Sequence, residues 1–276
     1  MGRGEMVIGR LRGEVAAYVA LAAMVLKTFL AYDWSLWVRV LQNIIGLVAF
    51  VYFWRAIYAG TPTVAGLTLA TTLNYVLLAR VFQPLAELNM LFEFGWGLSD
   101  GGVALLLLRP VDMQLAYYMQ GWGRLALTML WQLPSLLLAT FVFGVQWPAS
   151  PAVWAAFLLS ALLGRSVMFC IDWVLAGLSF HTTEVWGLNG ATVAVALFLT
   201  GGLLPLAMMP DWLRLIVQAT PFAQAIYVPV SLLSGLTPLS EAPRLLLGQC
   251  LWLVGMLVAS RLFFRYSVRR VTVQGG

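Results

Sequence analysis

Long apolar runs separated by short polar breaks make up most of this chain, and its charges collect in the breaks. Five runs are long enough to cross a bilayer as helices of about 20 residues: 63–81, 125–143, 152–178, 186–206 and 245–264. A sixth, 36–53, contains Arg39 and ends against Arg55. Arginine stems snorkel toward the interfaces while the residues between them cross the core, so this run also predicts a span. Residues 15–31 are apolar but short, interrupted by Lys27 and followed at once by Asp33.

Parity decides how that short run is read. Six spans leave both termini on one side, together with Arg3, Arg10, Arg12, Arg261, Arg265, Arg269 and Arg270. The excess of positive charge makes that side cytoplasmic. A seventh crossing would push one basic cluster outside, so 15–31 predicts an amphipathic elbow helix lying in the interface. A cleaved signal peptide meets the same objection. Arg80, Arg109 and Arg124 then also face the cytoplasm. The outer side holds Arg55, Arg214 and Arg244, and the outer connections are 60–62, 146–151 and 205–243. In the last of these, Pro210, Pro221, Pro229 and Pro238 alternate with apolar turns, which predicts broken or re-entrant helices.

Composition agrees. Hydrophobic residues are 62% of the 276 and charged ones 10%, against about 25% charged in a water-soluble domain. The expected fold is therefore all-α and polytopic: a single transmembrane domain of six helices. Residues 1–33 form the cytoplasmic segment and elbow, 83–120 a cytoplasmic connection, 205–243 the outer re-entrant segment and 265–276 a cytoplasmic tail. No room remains for a soluble catalytic domain, so any energy source is another polypeptide. The formal charge of +5 flanks apolar runs, where it acts as a topology signal, which argues against nucleic acid as a partner. Cys170 and Cys250 lie in apolar segments without a pairing motif and are read as packing residues.

Several residues carry candidate chemistry. Lys27, the only lysine, follows Leu26; a phosphate-binding loop needs its lysine after glycine, so this chain is expected to bind no cofactor of its own. Gly97-Leu98-Ser99-Asp100-Gly101 matches a nucleophile-elbow pattern, with His181 and Glu184 on the same side. The alternative reading is thus a membrane-embedded serine hydrolase using Ser99 and His181, whose mechanism requires a strand before the serine. Arg165 and Asp172 sit within the fourth run, seven residues or about two turns apart on one helix face. Each needs a partner at membrane depth, either as part of a transport path or as half of a structural ion pair bridging helices. Asn43 and Asn74 are further polar positions in spans and candidates for the path. Glu87, Glu93, Asp100 and Asp112 place acids in a basic face, interleaved with Leu88, Leu91, Phe92 and Phe94; an apolar anchor ringed by acids suits docking of a protein partner. Tryptophans near span ends, among them Trp37, Trp147, Trp154, Trp186 and Trp212, are read as interfacial anchors.

The order of motifs adds a family. Gly101-Gly102-Val103-Ala104-Leu105-Leu106-Leu107-Leu108-Arg109-Pro110-Val111-Asp112 is followed by Gly201-Gly202-Leu203-Leu204-Pro205-Leu206, then Thr220-Pro221-Phe222 and Tyr227-Val228-Pro229. In this order the chain resembles the permease subunits of ABC-2 type exporters, particularly compact bacterial permeases with a leucine run ending in Arg-Pro-Val-Asp. The resemblance implies a multi-pass protein of the bacterial plasma membrane, paired with a second permease, identical or paralogous, and with two copies of an ABC ATPase that binds ATP and Mg²⁺. It implies export of an amphiphilic substrate, such as a xenobiotic, lipid or peptide, by alternating access at the permease dimer interface. It also implies that the connection between spans two and three couples to the ATPase, through Glu87, Leu91, Glu93, Phe94, Asp100, Arg109 and Asp112. Path candidates are Asn43, Asn74, Arg165 and Asp172.

Overall fold

The computed structural model describes residues 33–99, 112–181 and 185–269. The predicted elbow at 15–31, the motif residues 100–111 with Asp100 and Arg109, and Glu184 lie outside them. Within them the longer regular elements are helices, with one small hairpin: α1 Asp33–Ile57, β1 Thr63–Val64, β2 Leu67–Thr68, α2 Leu69–Val81, α3 Met90–Ser99, α4 Met113–Phe141, α5 Pro151–Leu178, α6 Val185–Leu199, α7 Asp211–Gln218, α8 Tyr227–Leu233 and α9 Ala242–Val268.

Four helices, α1, α4, α5 and α9, have the length and apolar content to cross a membrane. Three contain the expected runs 36–53, 152–178 and 245–264 whole, and α4 covers the run 125–143 up to Phe141. α4 starts well ahead of its apolar run, at Met113, because Asp112 accepts a hydrogen bond from the Leu115 amide at 2.8 Å and caps the first turn. Among the described residues of the 83–120 connection, α-helix is found in α3 and in the start of α4.

The other two expected spans are shorter helices. Residues 63–68 are not helical: β1 and β2 pair antiparallel around Ala65 and Gly66, with φ of 50° and 78°. Two successive positive φ values make a primed turn, whose twist matches a hairpin. Tyr58 locks it by donating to the Leu67 carbonyl at 3.1 Å while its hydroxyl meets the Thr72 hydroxyl at 2.7 Å. The 13 residues of α2 then measure about 20 Å at 1.5 Å per residue, against a hydrocarbon core of about 30 Å. Likewise α6 stops at Leu199, because Gly201 at φ 76° turns the chain out of the helix. Tyr75 donates to the Gly201 carbonyl at 3.0 Å and fixes that turn against α2.

Between α6 and α9 the chain breaks as its prolines suggest. α7 and the stretch Phe222–Leu233 meet at 79°, and α8 is buried from Val228 to Leu233. All of this packs around α5. In its most apolar window 61% of residues are buried, compared with 11% for α9, so α5 is the hub and α9 presents most of its surface outward. Leu247, Leu251, Val254, Val258 and Leu262 form an exposed apolar stripe on α9, as Trp37, Leu41 and Ile45 do on α1. Such stripes suit lipid or another membrane helix. Gly164 lets this bent segment touch α5: a Cβ there would lie 2.2 Å from the Gln224 carbonyl oxygen. Gln249 of α9 closes the same junction, donating to the carbonyls of Ser160 at 3.1 Å and Gln224 at 2.9 Å.

Candidate functional site

The two charges inside α5 converge on one turn of another element. Asp172, 3% exposed, accepts hydrogen bonds from the backbone amides of Asn89 (3.2 Å) and Met90 (3.1 Å). Arg165, 8% exposed, donates to the carbonyl of Glu87 at 3.1 Å. The two-turn spacing read from the sequence puts both on the face that meets residues 87–90. A carboxylate at a helix start satisfies orphan amides and complements the helix dipole; here it comes from a neighbouring helix. The Asn89 side-chain amide donates to Glu87 Oε1 at 2.8 Å. The buried charges are thus partnered, and their partner is the start of α3. Gly121 of α4 leaves room beside the guanidinium, with a Cβ position 3.4 Å from Arg165 Nη2.

α3 is held along its length as well. Arg124 Nη1 of α4 donates to both carboxylate oxygens of Glu93, at 2.6 and 2.8 Å. Phe94, 1% exposed, packs among Tyr117, Trp173, Phe180 and Phe264 with centroids 5.0–6.5 Å apart. Leu91 is also 1% exposed. Both therefore attach α3 to the bundle, whereas Glu87 and Trp96 are exposed. Phe92 bridges outward, edge-on to Trp186 at 5.6 Å. The apolar residues that sequence reasoning offered to a partner are divided by the helix period between an inner and an outer face.

Asp112 ties α4 to α9 through an ion pair with Arg261. Partial burial raises its pKa, but Arg261 and the amides of Leu115 and Gln114 outweigh that effect and hold the carboxyl below its ordinary value.

The remaining candidates are dispersed. Asn74 donates to the Ser234 carbonyl at 3.3 Å and accepts from the Gln146 amide at 2.9 Å, pinning loops together. Asn43 lines a different space, a cavity of about 440 Å³ between α1, α4, α6 and the 83–89 turn. His181 Nε2 meets Ser267 Oγ at 3.1 Å. Ser99 is the last residue of α3 and so follows helix, not strand; the nucleophile elbow that the hydrolase reading needs is replaced by a helix there. Sequence reasoning missed Gln249, a fully buried amide in an otherwise apolar span, although a polar residue at membrane depth is itself a signal. It also treated Arg39 and Arg80 only as topology markers, yet both line the cavity with Asn43.

No curated protein matches the chain. A family model described as "ABC-2 family transporter protein" matches residues 44–275, taking in every described helix beyond the first part of α1. With that match, and with membrane-length apolar helices organised around α5, the chain belongs to the ABC-2 family of transporters and is a multi-pass membrane permease.

Proposed function

We propose that the chain is the permease subunit of an ATP-driven exporter, in which α3 is the coupling helix. The observation carrying this reading is the grip of Arg165 and Asp172 on residues 87–90. A short helix tied at its start to the hub of the bundle moves with that hub, so a push on its outer face displaces α5. Two cytoplasmic ATPase subunits, carrying ATP and Mg²⁺, dock on two permeases, identical or paralogous. Glu87 and Trp96 face the ATPase, while Leu91, Glu93 and Phe94 transmit its movement into the bundle. Asp100, Arg109 and Asp112 complete the coupling set in this reading.

In this reading α2 and α6 complete six crossings with their flanking turns, and residues 15–31 are the elbow. Both termini are cytoplasmic, the membrane is the bacterial plasma membrane, and the cargo is an amphiphile exported by alternating access at the permease dimer interface. Affinity purification from native membranes should retain an ABC ATPase in equal number with the permease. In the purified complex, Glu87→Lys with Trp96→Ala should uncouple ATP hydrolysis from transport at an unchanged melting temperature. Wild-type coupling in that variant, or the absence of any ATPase, would overturn the assignment.

A further inference from the structure

Two arginines line the cavity beside Asn43. Arg39 of α1 and Arg80 of α2 both line it, and neither has an ion pair or hydrogen bond among the described residues. The Arg80 guanidinium crosses to α1 and rests on Gly46, where a Cβ would lie 2.9 Å from Nη2. Arg39, Asn43 and Gly46 share one face of α1 at i, i+4 and i+7. The two arginine anchors are thus about 10 Å apart along that helix, within the combined reach of two long side chains closing on one group. The indole N–H of Trp131 and the Gln83 side-chain oxygen, also in the lining, are buried without partners. A half-turn of the Gln83 amide presents its N–H₂ group instead.

Leu127 of α4 with Val193 and Leu197 of α6 add apolar lining, beside the polar Thr128 and Gln132 of α4. Glu87 contributes the one acidic group, and its carboxylate accepts from Asn89. The lining therefore keeps a net positive charge. A volume of about 440 Å³ falls in the range of about 300–1,000 Å³ typical of sites for drug-sized molecules.

We propose that this cavity receives the anionic headgroup of a single-chain amphiphile, a phosphate or a carboxylate, with its apolar part against α4 and α6. Arg39 and Arg80 hold the anion, a geometry arginine suits because its planar fork matches both groups. The role of the amphiphile as cargo rests on the exporter reading; the binding itself does not, and is measured on the permease alone.

The experiment titrates radiolabelled dodecyl phosphate onto the purified full-length chain, first in uncharged maltoside micelles and then in nanodiscs of phosphatidylcholine or phosphatidylglycerol. Saturable binding is expected, weakened about tenfold by Arg39→Gln or by Arg80→Gln, the loss of one charge-assisted contact each. Gly46→Val, which keeps every charge but displaces Arg80, should weaken it similarly, and Arg80→Lys should fall between. Melting temperatures close to that of the unaltered chain confirm folded variants, and Arg39→Gln serves alone if substitutions at 46 or 80 do not fold. Dodecyltrimethylammonium should not compete, and inorganic phosphate should compete only weakly. Equal competition by inorganic phosphate overturns the amphiphile assignment in favour of a free-anion site. Loss of binding only in phosphatidylglycerol nanodiscs assigns the cavity to a bilayer lipid and overturns its role toward cargo. Unchanged affinity in the glutamine variants overturns the site.

Discussion

Replacing Asp172 by alanine removes the tertiary cap of α3 and leaves three consequences in the bundle. The amides of Asn89 and Met90 lose their acceptor, and Arg165 loses the nearby negative charge. Hydrogen bonds to charged groups contribute about 1.5–3 kcal/mol each. These, at 3.2 and 3.1 Å, are longer than the about 2.7–2.9 Å of strong charge-assisted bonds, so the lower end applies. Together they come to about 3 kcal/mol. Asp172→Asn keeps one acceptor and should cost about half as much. Because Asp172→Ala strands a buried cation, adding Arg165→Met should cost less than the sum of the two single changes, with a coupling of about 1–2 kcal/mol. Unfolding of the purified chain in mixed micelles measures the cycle, and hydrogen exchange at the amides of residues 89–93 reports on α3 itself. An additive cycle, or unchanged exchange at those amides in Asp172→Ala, would refute the view that the α5 charges hold α3.

The other expectations concern junctions and orientation. Gly164→Ala meets the Gln224 carbonyl at 2.2 Å, backbone that cannot rotate away; it should destabilise by about 1–3 kcal/mol despite the helix preference for alanine, and a melting temperature at or above that of the unaltered chain would show that α5 and the turn at Gln224 separate freely. Asp112 has a folded pKa below its ordinary 3.8, so its contribution to stability is complete above that value and is lost as pH falls through the lower folded value. Asp112→Asn should therefore flatten the acid limb of a stability profile measured below about pH 4, and an unchanged limb would remove Arg261 as its partner. Cysteines at Gly4, Gly275 and Thr237 test the topology: an impermeant reagent added to intact cells should label position 237 only, and labelling at 4 or 275 would reverse it.

How much was legible before the fold depends on the range of the interactions involved. The runs that became α1, α4, α5 and α9 were readable because hydrophobicity and length are local properties. The broken segment before α9 was readable because proline acts on its own backbone. The same reading carried 63–81 as one helix, since Ala65-Gly66 lacks the Asn-Gly or Asp-Gly signal of a hairpin turn, and the bonds from Tyr58 that stabilise the hairpin come from across the turn. Run 186–206 ended early for a similar reason, at a glycine whose backbone Tyr75 fixes from 126 positions away.

Candidate residues divide along the same line. Composition and spacing identified Arg165 and Asp172 as buried charges on one face of a helix, because the cost of an unpaired charge in a bilayer is a property of the residue and its segment. Their partner was set by packing: residues 87–90 lie about eighty positions earlier in the chain, and no local rule selects them over other backbone groups. Packing likewise turned Leu91 and Phe94 inward and left Glu87 and Trp96 outside, and it brought Arg39 and Arg80 from separate helices to one cavity. The sequence alone determines that this chain lives in a membrane and where most of its helices run, since those follow from transfer of residues out of water. Which charges meet, which faces stay free and where a ligand fits belong to the tertiary structure, since each depends on several helices arriving together.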